Sequence, residues 1–231
     1  MERGTKNELI RTILIIPITF LSIFLSYNLC TFIIFTQREI LFKNSILITS
    51  LGLDYSFTIF AILIFYILSN IISLIIEIKK FYPDITKRVK KIVLPFFILL
   101  LLVAMNIMHY IRIDDTDIYY NRLLSIKEMN INFNKIQSVE IYAARKRNST
   151  RHKSYYFSPV MDIKTINTKI DVWRGGRFGA PKNGEIIHFL NILKENHITI
   201  NINNNFNNEM VRLLNRRKDR SEIIKIFNFS K

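Results

Sequence analysis

Three aspartates stand close together just after the third long apolar run of the chain, at Asp114, Asp115 and Asp117. Carboxylates grouped in this way can bind a cation or carry out acid–base chemistry. No glycine-containing loop or downstream glutamate completes a calcium-binding motif around them. The simpler interpretation is a solvated turn that disfavours burial. A membrane enzyme that uses this cluster is kept as the alternative.

Other residue types with catalytic or ligand-binding potential are scattered along the chain. His109, His152, His188 and His197 do not show metal-ligand spacing with cysteine or carboxylate partners. Residues 175–179 read GGRFG, which lacks the Lys-Ser/Thr pair of a phosphate-binding loop and predicts a turn. We therefore predict no catalytic residue, no bound cofactor and no metal site.

Positive charges and aromatic side chains are concentrated in one stretch of the second half of the chain. Residues 144–154 are polar and basic, which predicts the exposed loop of a β-hairpin between two strand-like segments. Such a surface attracts acidic partners. We predict partner contacts at Arg145, Lys146, Arg147, Arg151, Lys153, Tyr155, Tyr156 and Trp173.

Three uncharged apolar runs fill the first half of the chain, at residues 12–35, 55–76 and 92–111. A helix needs about 20 residues to cross a hydrocarbon core ~30 Å thick, and each run is long enough. Only a helix satisfies its own backbone hydrogen bonds in lipid, so the runs are predicted to be transmembrane helices. Residues 1–112 are therefore expected to form a transmembrane region embedded in a lipid bilayer.

The predicted spans contain no Asp, Glu, Lys or Arg. A pump or ion-coupled transporter usually needs ionisable residues at membrane depth. An accessory subunit of a transporter is therefore only a further alternative. The stretch 45–53, between the first two spans, is short and is followed by Asp54, which predicts a loop or an interfacial segment rather than a fourth crossing.

The charges that flank the spans are unequal on the two sides. Nine Lys and Arg residues lie on the side of the N-terminus, and five lie near the spans on the opposite side. The positive-inside rule therefore predicts a cytoplasmic N-terminus and an extracytoplasmic C-terminal domain. Six of the nine are candidate contacts for acidic lipid headgroups, or serve only to fix topology: Lys79, Lys80, Lys87, Arg88, Lys90 and Lys91.

Beyond the third span the periodicity changes from that of helices to that of strands. Apolar residues alternate with asparagines over 129–134, which is the pattern of a half-buried strand. Ile186, Leu190 and Leu193 fall on one face of a predicted helix at 184–195. The sequence therefore predicts several antiparallel strands followed by an amphipathic helix.

Three segments make this region resemble the bacterial pleckstrin-homology-like (PH-like) domains of small membrane proteins. They are the strand 113–120, the segment NINFNKIQSV at 130–139 and the closing helix GEIIHFLNILKENHI. The resemblance covers residues 113–202 and implies an α+β protein, with a three-helix transmembrane bundle followed by a small antiparallel β domain and a closing helix. It also implies protein or lipid interaction at the membrane surface, and it assigns no binding residues. Residues 203–231 are expected to form a basic helical tail.

The formal net charge of +15 is not accompanied by a DNA- or RNA-binding motif, so no nucleic-acid partner is predicted. The abundance of Ile, Lys and Asn is typical of AT-rich bacterial genomes. The favoured interpretation is a bacterial multi-pass protein of the cell membrane. It would present a basic PH-like domain at the membrane surface and bind a protein partner or an envelope surface.

The charge asymmetry predicts an extracytoplasmic C-terminus. A reporter enzyme that folds only outside the cytoplasm should therefore be active when it is fused after Lys231. A fluorescent protein that matures only in the cytoplasm should stay dark at the same position. Activity assays of the two fusions, corrected for fusion-protein level, make this measurement. A bright cytoplasmic reporter with a silent extracytoplasmic one would show that the orientation is reversed.

Overall fold

The chain divides into two compact units. The helical unit comprises Met1–Thr36 and Gly52–Met108, and the β unit comprises Gln37–Leu51 and His109–Lys231. Each unit is therefore built from two separate stretches of the sequence. The computed structural model describes residues 2–78, 85–121, 127–147, 155–166, 168–174 and 179–229.

The helical unit consists of α1 (Glu2–Phe35), α2 (Leu53–Ile78) and α3 (Ile85–Ile107). All three are long and apolar enough to cross a membrane, with mean hydropathies between 2.1 and 2.4 over the candidate spans. At most 22% of each span is buried inside the protein. The remaining apolar surface is compatible with lipid, which confirms the expectation of three membrane-length helices.

Several polar side chains inside the helical unit are hydrogen-bonded. Ser22 and Ser26 each donate a hydroxyl to the carbonyl four residues earlier, at 2.7 Å. Ser56 in α2 donates its hydroxyl to Asn106 Oδ1 in α3, also at 2.7 Å. Asn106 is only 3% exposed, so this bond joins two helices where an unpaired amide would be unfavourable.

The predicted C-terminal end of the third span is wrong. The run was expected to stay helical through residue 111, but α3 ends at Ile107 and Tyr110–Ile113 form strand β2. The apolar character of these residues reflects burial within a sheet, because three of the four are buried. A short apolar segment at the end of a long apolar run does not reveal by itself whether it is helical or extended.

The first sheet of the β unit has four antiparallel strands in the order β1-β2-β3-β4. Strand β1 (Leu47–Ser50) pairs with β2, so the prediction of a loop or interfacial segment at 45–53 is wrong for these four residues. Strands β3 (Asp117–Asn121) and β4 (Met129–Asn132) complete the sheet. All four residues of β1 are buried.

The second sheet has the order β7-β6-β5-β8. Its long hairpin joins β5 (Ile136–Arg147) to β6 (Tyr155–Thr165), and β7 (Lys169–Arg174) lies antiparallel on the far side of β6. Strand β8 (Ile200–Ile202) pairs parallel with β5, which departs from the all-antiparallel prediction. The helix between β7 and β8 provides the crossover that a parallel strand requires.

Three helices follow the long hairpin: α4 (Asn183–Glu195), α5 (Asn208–Asn215) and α6 (Arg220–Phe227). Helix α4 buries Ile186, Phe189, Leu190 and Leu193 in a core that also includes residues of both sheets, and this matches the predicted apolar stripe. Within the expected basic helical tail at 203–231, the structure has two helices, α5 and α6, with residues 216–219 between them.

The C-terminal segment is an integral part of the β unit rather than a separate tail. Helices α5 and α6 bury Met210, Leu213, Leu214, Ile223, Ile226 and Phe227. The rings of Phe157, Phe206 and Phe227 meet edge to face, with centroids 4.9–6.0 Å apart. Such aromatic contacts fasten the last two helices to strand β6.

Leu190 is fully buried, so Leu190→Asp should lower the free energy of unfolding by about 3 kcal/mol or more, because an unpaired carboxylate would enter the core. Urea unfolding in detergent can be followed by the fluorescence of Trp173, which is the only tryptophan and is itself 2% exposed. Asn191→Asp, at the exposed neighbouring position, is the matched control. Equal midpoints for the parent and Leu190→Asp would contradict this packing.

Candidate interaction surface

The end of the long hairpin brings part of the predicted basic and aromatic set together. Lys146 pairs in register with Tyr156, so both lie on one face of the hairpin, whereas Arg145 pairs with Phe157 and lies with Tyr155 on the opposite face. Directly opposite residues on antiparallel strands have Cβ atoms about 5 Å apart. We call Arg145, Lys146, Tyr155 and Tyr156 the hairpin surface.

Arg145 holds the hairpin surface in place. Its guanidinium carbon lies 3.5 Å from the ring centroid of Tyr155. Its Nη1 donates to Glu209 Oε2 of α5 at 2.8 Å, and both side chains are more than 40% exposed. An exposed ion pair contributes at most about 1 kcal/mol, so the main consequence is geometric: the end of β5 is tied to α5.

The predicted loop is shorter than expected, because β5 continues as far as Arg147. Arg147 is described as part of the strand, but its side chain is not. Arg151 and Lys153 lie outside the described residues, as does the rest of the loop at 148–154. The structure therefore places four of the predicted contact residues at the hairpin end, and their role as partner contacts stays a prediction.

Trp173 does not belong to this surface, so its assignment as a partner contact is wrong. A register shift next to Met161 pairs Trp173 with that buried methionine. Only 2% of Trp173 is exposed, and it packs in the core of the β unit. The bulge turns the ring of Trp173 to the inner face of the sheet, the face of Met161.

Four of the six candidate headgroup contacts lie in α3. Lys90 and Lys91 are exposed in the second turn of that helix. Lys87 and Arg88 lie in its first turn, but their side chains are not described, and Lys79 and Lys80 lie outside the described residues. The prediction of lipid headgroup contacts therefore stays a prediction.

The aspartate cluster is held by contacts within the first sheet. Asp114 Oδ2 is 2.6 Å from Arg112 Nη1. Asp117 accepts a hydrogen bond from the hydroxyl of Thr116 at 2.7 Å and one from Asn132 Nδ2 at 3.3 Å. Within the described part of the chain, no group of three or more His, Cys, Asp or Glu side chains is arranged to hold a metal ion.

Arg112 is the centre of an ion-pair network that the sequence analysis missed. Besides Asp114, it contacts Glu128 through Nε at 3.0 Å and Nη2 at 3.3 Å. Its guanidinium lies 3.8 Å from the ring centroid of Tyr119 and 5.2 Å from that of Phe42. A planar guanidinium can hold two carboxylates and stack on aromatic rings at the same time, which a lysine cannot do.

The network shifts the titration of its members. Burial alone would raise the pKa of Glu128, but hydrogen bonds from Arg112 and from the Tyr110 hydroxyl (2.7 Å), with the charge of Arg112, outweigh it. The pKa of Glu128 is therefore held below its ordinary value. Burial and the hydrogen bond to Glu128 raise the pKa of Tyr110, so its hydroxyl stays protonated and donates.

Two features hid this network at the sequence level. Arg112 was counted as a charge that flanks the third span, because it follows a long apolar run. Two of its partners, Phe42 and Glu128, lie far from it in sequence. The only available signal was the alternation of Tyr110, Arg112 and Asp114, which places three polar groups on one face of a strand.

Comparisons with known proteins do not add a relative: no protein-family model, curated protein sequence or solved structure matches this chain.

The Arg112 network predicts a pH-dependent stability. Arg112→Gln should lower the free energy of unfolding at pH 7 by about 1–2 kcal/mol, because two carboxylates lose their cation. The folded pKa of Glu128 lies below its unfolded value of about 4.3, so this stabilisation is present above that pH and is lost as the pH falls through the folded value. Urea midpoints from Trp173 fluorescence at pH 7 and pH 2 should therefore differ between parent and variant mainly at pH 7, because Glu128 is protonated in both states at the lower pH.

The control is Arg216→Gln, which removes the charge of an exposed arginine in the cap of α5. Its midpoint should match that of the parent at both values of pH. Equal midpoints for Arg112→Gln and the parent at pH 7 would mean that the network does not stabilise the fold.

Proposed function

We propose that this protein is a membrane-anchored binding module whose β unit is PH-like and meets its partner at the membrane surface. The order of elements supports the PH-like assignment: two antiparallel meanders, β1–β4 and β5–β7, are followed by the helix α4. Compared with the expectation from sequence, the domain gains β1 from the first loop. It also extends through β8, α5 and α6 at its C-terminal side.

The observation that carries the proposal is that the chain crosses between its two units three times. The backbone leaves the helical unit after Thr36, returns at Gly52 and leaves again after Met108. The β unit is therefore attached to membrane-length helices at three points of its backbone. Such attachment restricts the β unit to the bilayer surface and favours encounters with partners that are themselves at the membrane.

The pairing of β1 with β2 also constrains the topology. Paired strands must lie on the same side of the membrane, so the chain between Ser50 and Tyr110 makes an even number of crossings. That stretch contains α2 and α3, which supports two crossings there and a third by α1. Together with the asymmetry of flanking charges, this favours a β unit on the extracytoplasmic side of a bacterial cell membrane.

The hairpin surface is the proposed contact with an acidic protein or envelope surface. It offers cations beside half-exposed tyrosines on a two-stranded projection, a combination enriched where proteins bind one another. The overall charge of +15 adds attraction for acidic partners over longer distances. The aspartates at 114 and 117 make contacts within and beside the first sheet, which fits a structural role for both.

A photo-crosslinking amino acid at Tyr156 tests this function in intact membranes. Covalent adducts with a protein or envelope polymer are expected at Tyr156, and they should fall several-fold in Lys146→Gln because the positive charge of the surface is reduced. Raising the ionic strength should have the same effect. Denaturing gels and mass spectrometry of the adducts provide the measurement.

The matched controls lie on the exposed face of α4, with the crosslinker at Asn191 and the substitution Lys194→Gln. The crosslinker at Asn191 should give no salt-sensitive adduct, and Lys194→Gln should leave the adduct at Tyr156 unchanged. If the crosslinker gives equal adducts at Tyr156 and Asn191, or if Lys146→Gln leaves the adduct unchanged, the hairpin surface is not the partner contact.

A further inference from the structure

The outer face of the second sheet carries a groove of about 470 Å³. Its polar lining comes from three strands and the residue after the last: Glu140 and Tyr142 of β5, Lys169 of β7, Asn201 of β8 and Asn203. This volume lies within the range of roughly 300–1,000 Å³ typical of small-molecule sites. The groove uses none of the four residues of the hairpin surface.

A buried carboxylate fixes two of the groove's side chains. Asp162 of β6 is only 1% exposed. Its Oδ2 accepts a hydrogen bond from the Tyr142 hydroxyl at 2.8 Å and lies 2.8 Å from Lys169 Nζ. Because an aspartate is rarely buried without partners, this arrangement holds the tyrosine ring and the ammonium group in defined positions along the groove.

The strand register aligns the acidic groups of this face in one row. Glu140 is opposite Asp162, and Asp162 is opposite Asp171 on the next strand. Each of the three acids has a cation beside it, in the pairs Lys164–Glu140, Lys169–Asp162 and Arg174–Asp171. The charges therefore balance in pairs, in contrast to the basic character of the whole chain.

The paired charges along the groove indicate which chemical class of ligand it can bind. A groove without net charge gives no electrostatic preference to polyanions or polycations. Its carboxylate accepts hydrogen bonds, its ammonium group donates them, and its two asparagine amides do both. Ligands rich in hydroxyl groups match such a mixed set, since each hydroxyl both donates and accepts. The half-exposed ring of Tyr142 adds an apolar surface for the C–H face of a sugar ring.

We propose that this groove binds a neutral carbohydrate. Asn201 and Glu140 form hydrogen bonds with its hydroxyl groups, and Tyr142 packs against a pyranose face while its own hydroxyl stays bonded to Asp162. Asp162 itself is a positioning residue, because it acts through Tyr142 and Lys169.

The test uses the full-length protein in lipid nanodiscs, since detergents with sugar headgroups would compete for the groove. Three neutral trisaccharides serve as probes: maltotriose, cellotriose and triacetylchitotriose. Isothermal titration or ligand-observed NMR should show that at least one of them binds with a Kd below about 1 mM. Asn201→Ala should weaken that binding about tenfold, the equivalent of one lost hydrogen bond.

Two further variants locate the site. Tyr142→Phe keeps the ring but releases it from Asp162, so it should weaken binding at least several-fold. Asn204→Ala changes an exposed asparagine of the same segment that does not line the groove, and it should bind like the parent. Urea midpoints from Trp173 fluorescence should be the same for all three variants and the parent. If a variant is less stable, binding is compared at a temperature where every protein is folded.

Three results would overturn the proposal. The first is the absence of binding by all three trisaccharides to the folded parent protein. The second is binding that neither Asn201→Ala nor Tyr142→Phe weakens, which would place the sugar elsewhere. The third is tighter binding of spermidine or of inorganic pyrophosphate than of any trisaccharide, because a charged ligand would contradict the inference from balanced charge.

Discussion

The hydrogen-bonded pairing of β1 with β2 is the interaction on which the rest of the β unit depends. It joins residues 47–50 to residues 110–113 and starts the four-stranded sheet. Closing so long a loop has an entropic cost, but α2 and α3 in between form a packed pair that reduces it. The Ser56–Asn106 hydrogen bond brings the start of α2 beside the end of α3. As a result, the chain enters and leaves this helical pair at the same end, which favours the pairing of β1 with β2.

Charged groups in the β unit divide into those that hold the structure and those that remain on its surface. Arg112, Arg145 and Lys169 are each committed to a carboxylate and lie over an aromatic ring. These contacts fix, in turn, the first sheet, the hairpin end and the outer face of the second sheet. We propose that the local balance of charge sets what each surface attracts, with acidic partners at the hairpin end and a neutral ligand in the outer groove.

Features encoded within a short stretch of sequence were predictable, and features set by distant contacts were not. The membrane-length helices and the apolar stripe of α4 follow from local hydropathy and periodicity. The strand at 47–50 was missed because four residues carry too little pattern, and their partners lie some sixty positions away. Trp173 and the C-terminal helices were misjudged for a related reason. Their burial depends on a β-bulge and on tertiary packing, neither of which leaves a periodic signal.

The register of β1 on β2 can be tested with a disulfide trap. With Cys30 replaced by alanine, Thr49→Cys combined with Ile111→Cys places two thiols on directly opposed residues, at a separation compatible with a disulfide. Mild oxidation in membranes should crosslink this pair rapidly, as shown by the mobility of the intact chain on non-reducing gels. The pair Thr49→Cys and Ile113→Cys, two residues out of register, should crosslink much more slowly. Equal rates for the two pairs, or no crosslink in either, would contradict the pairing and the assembly of the β unit around it.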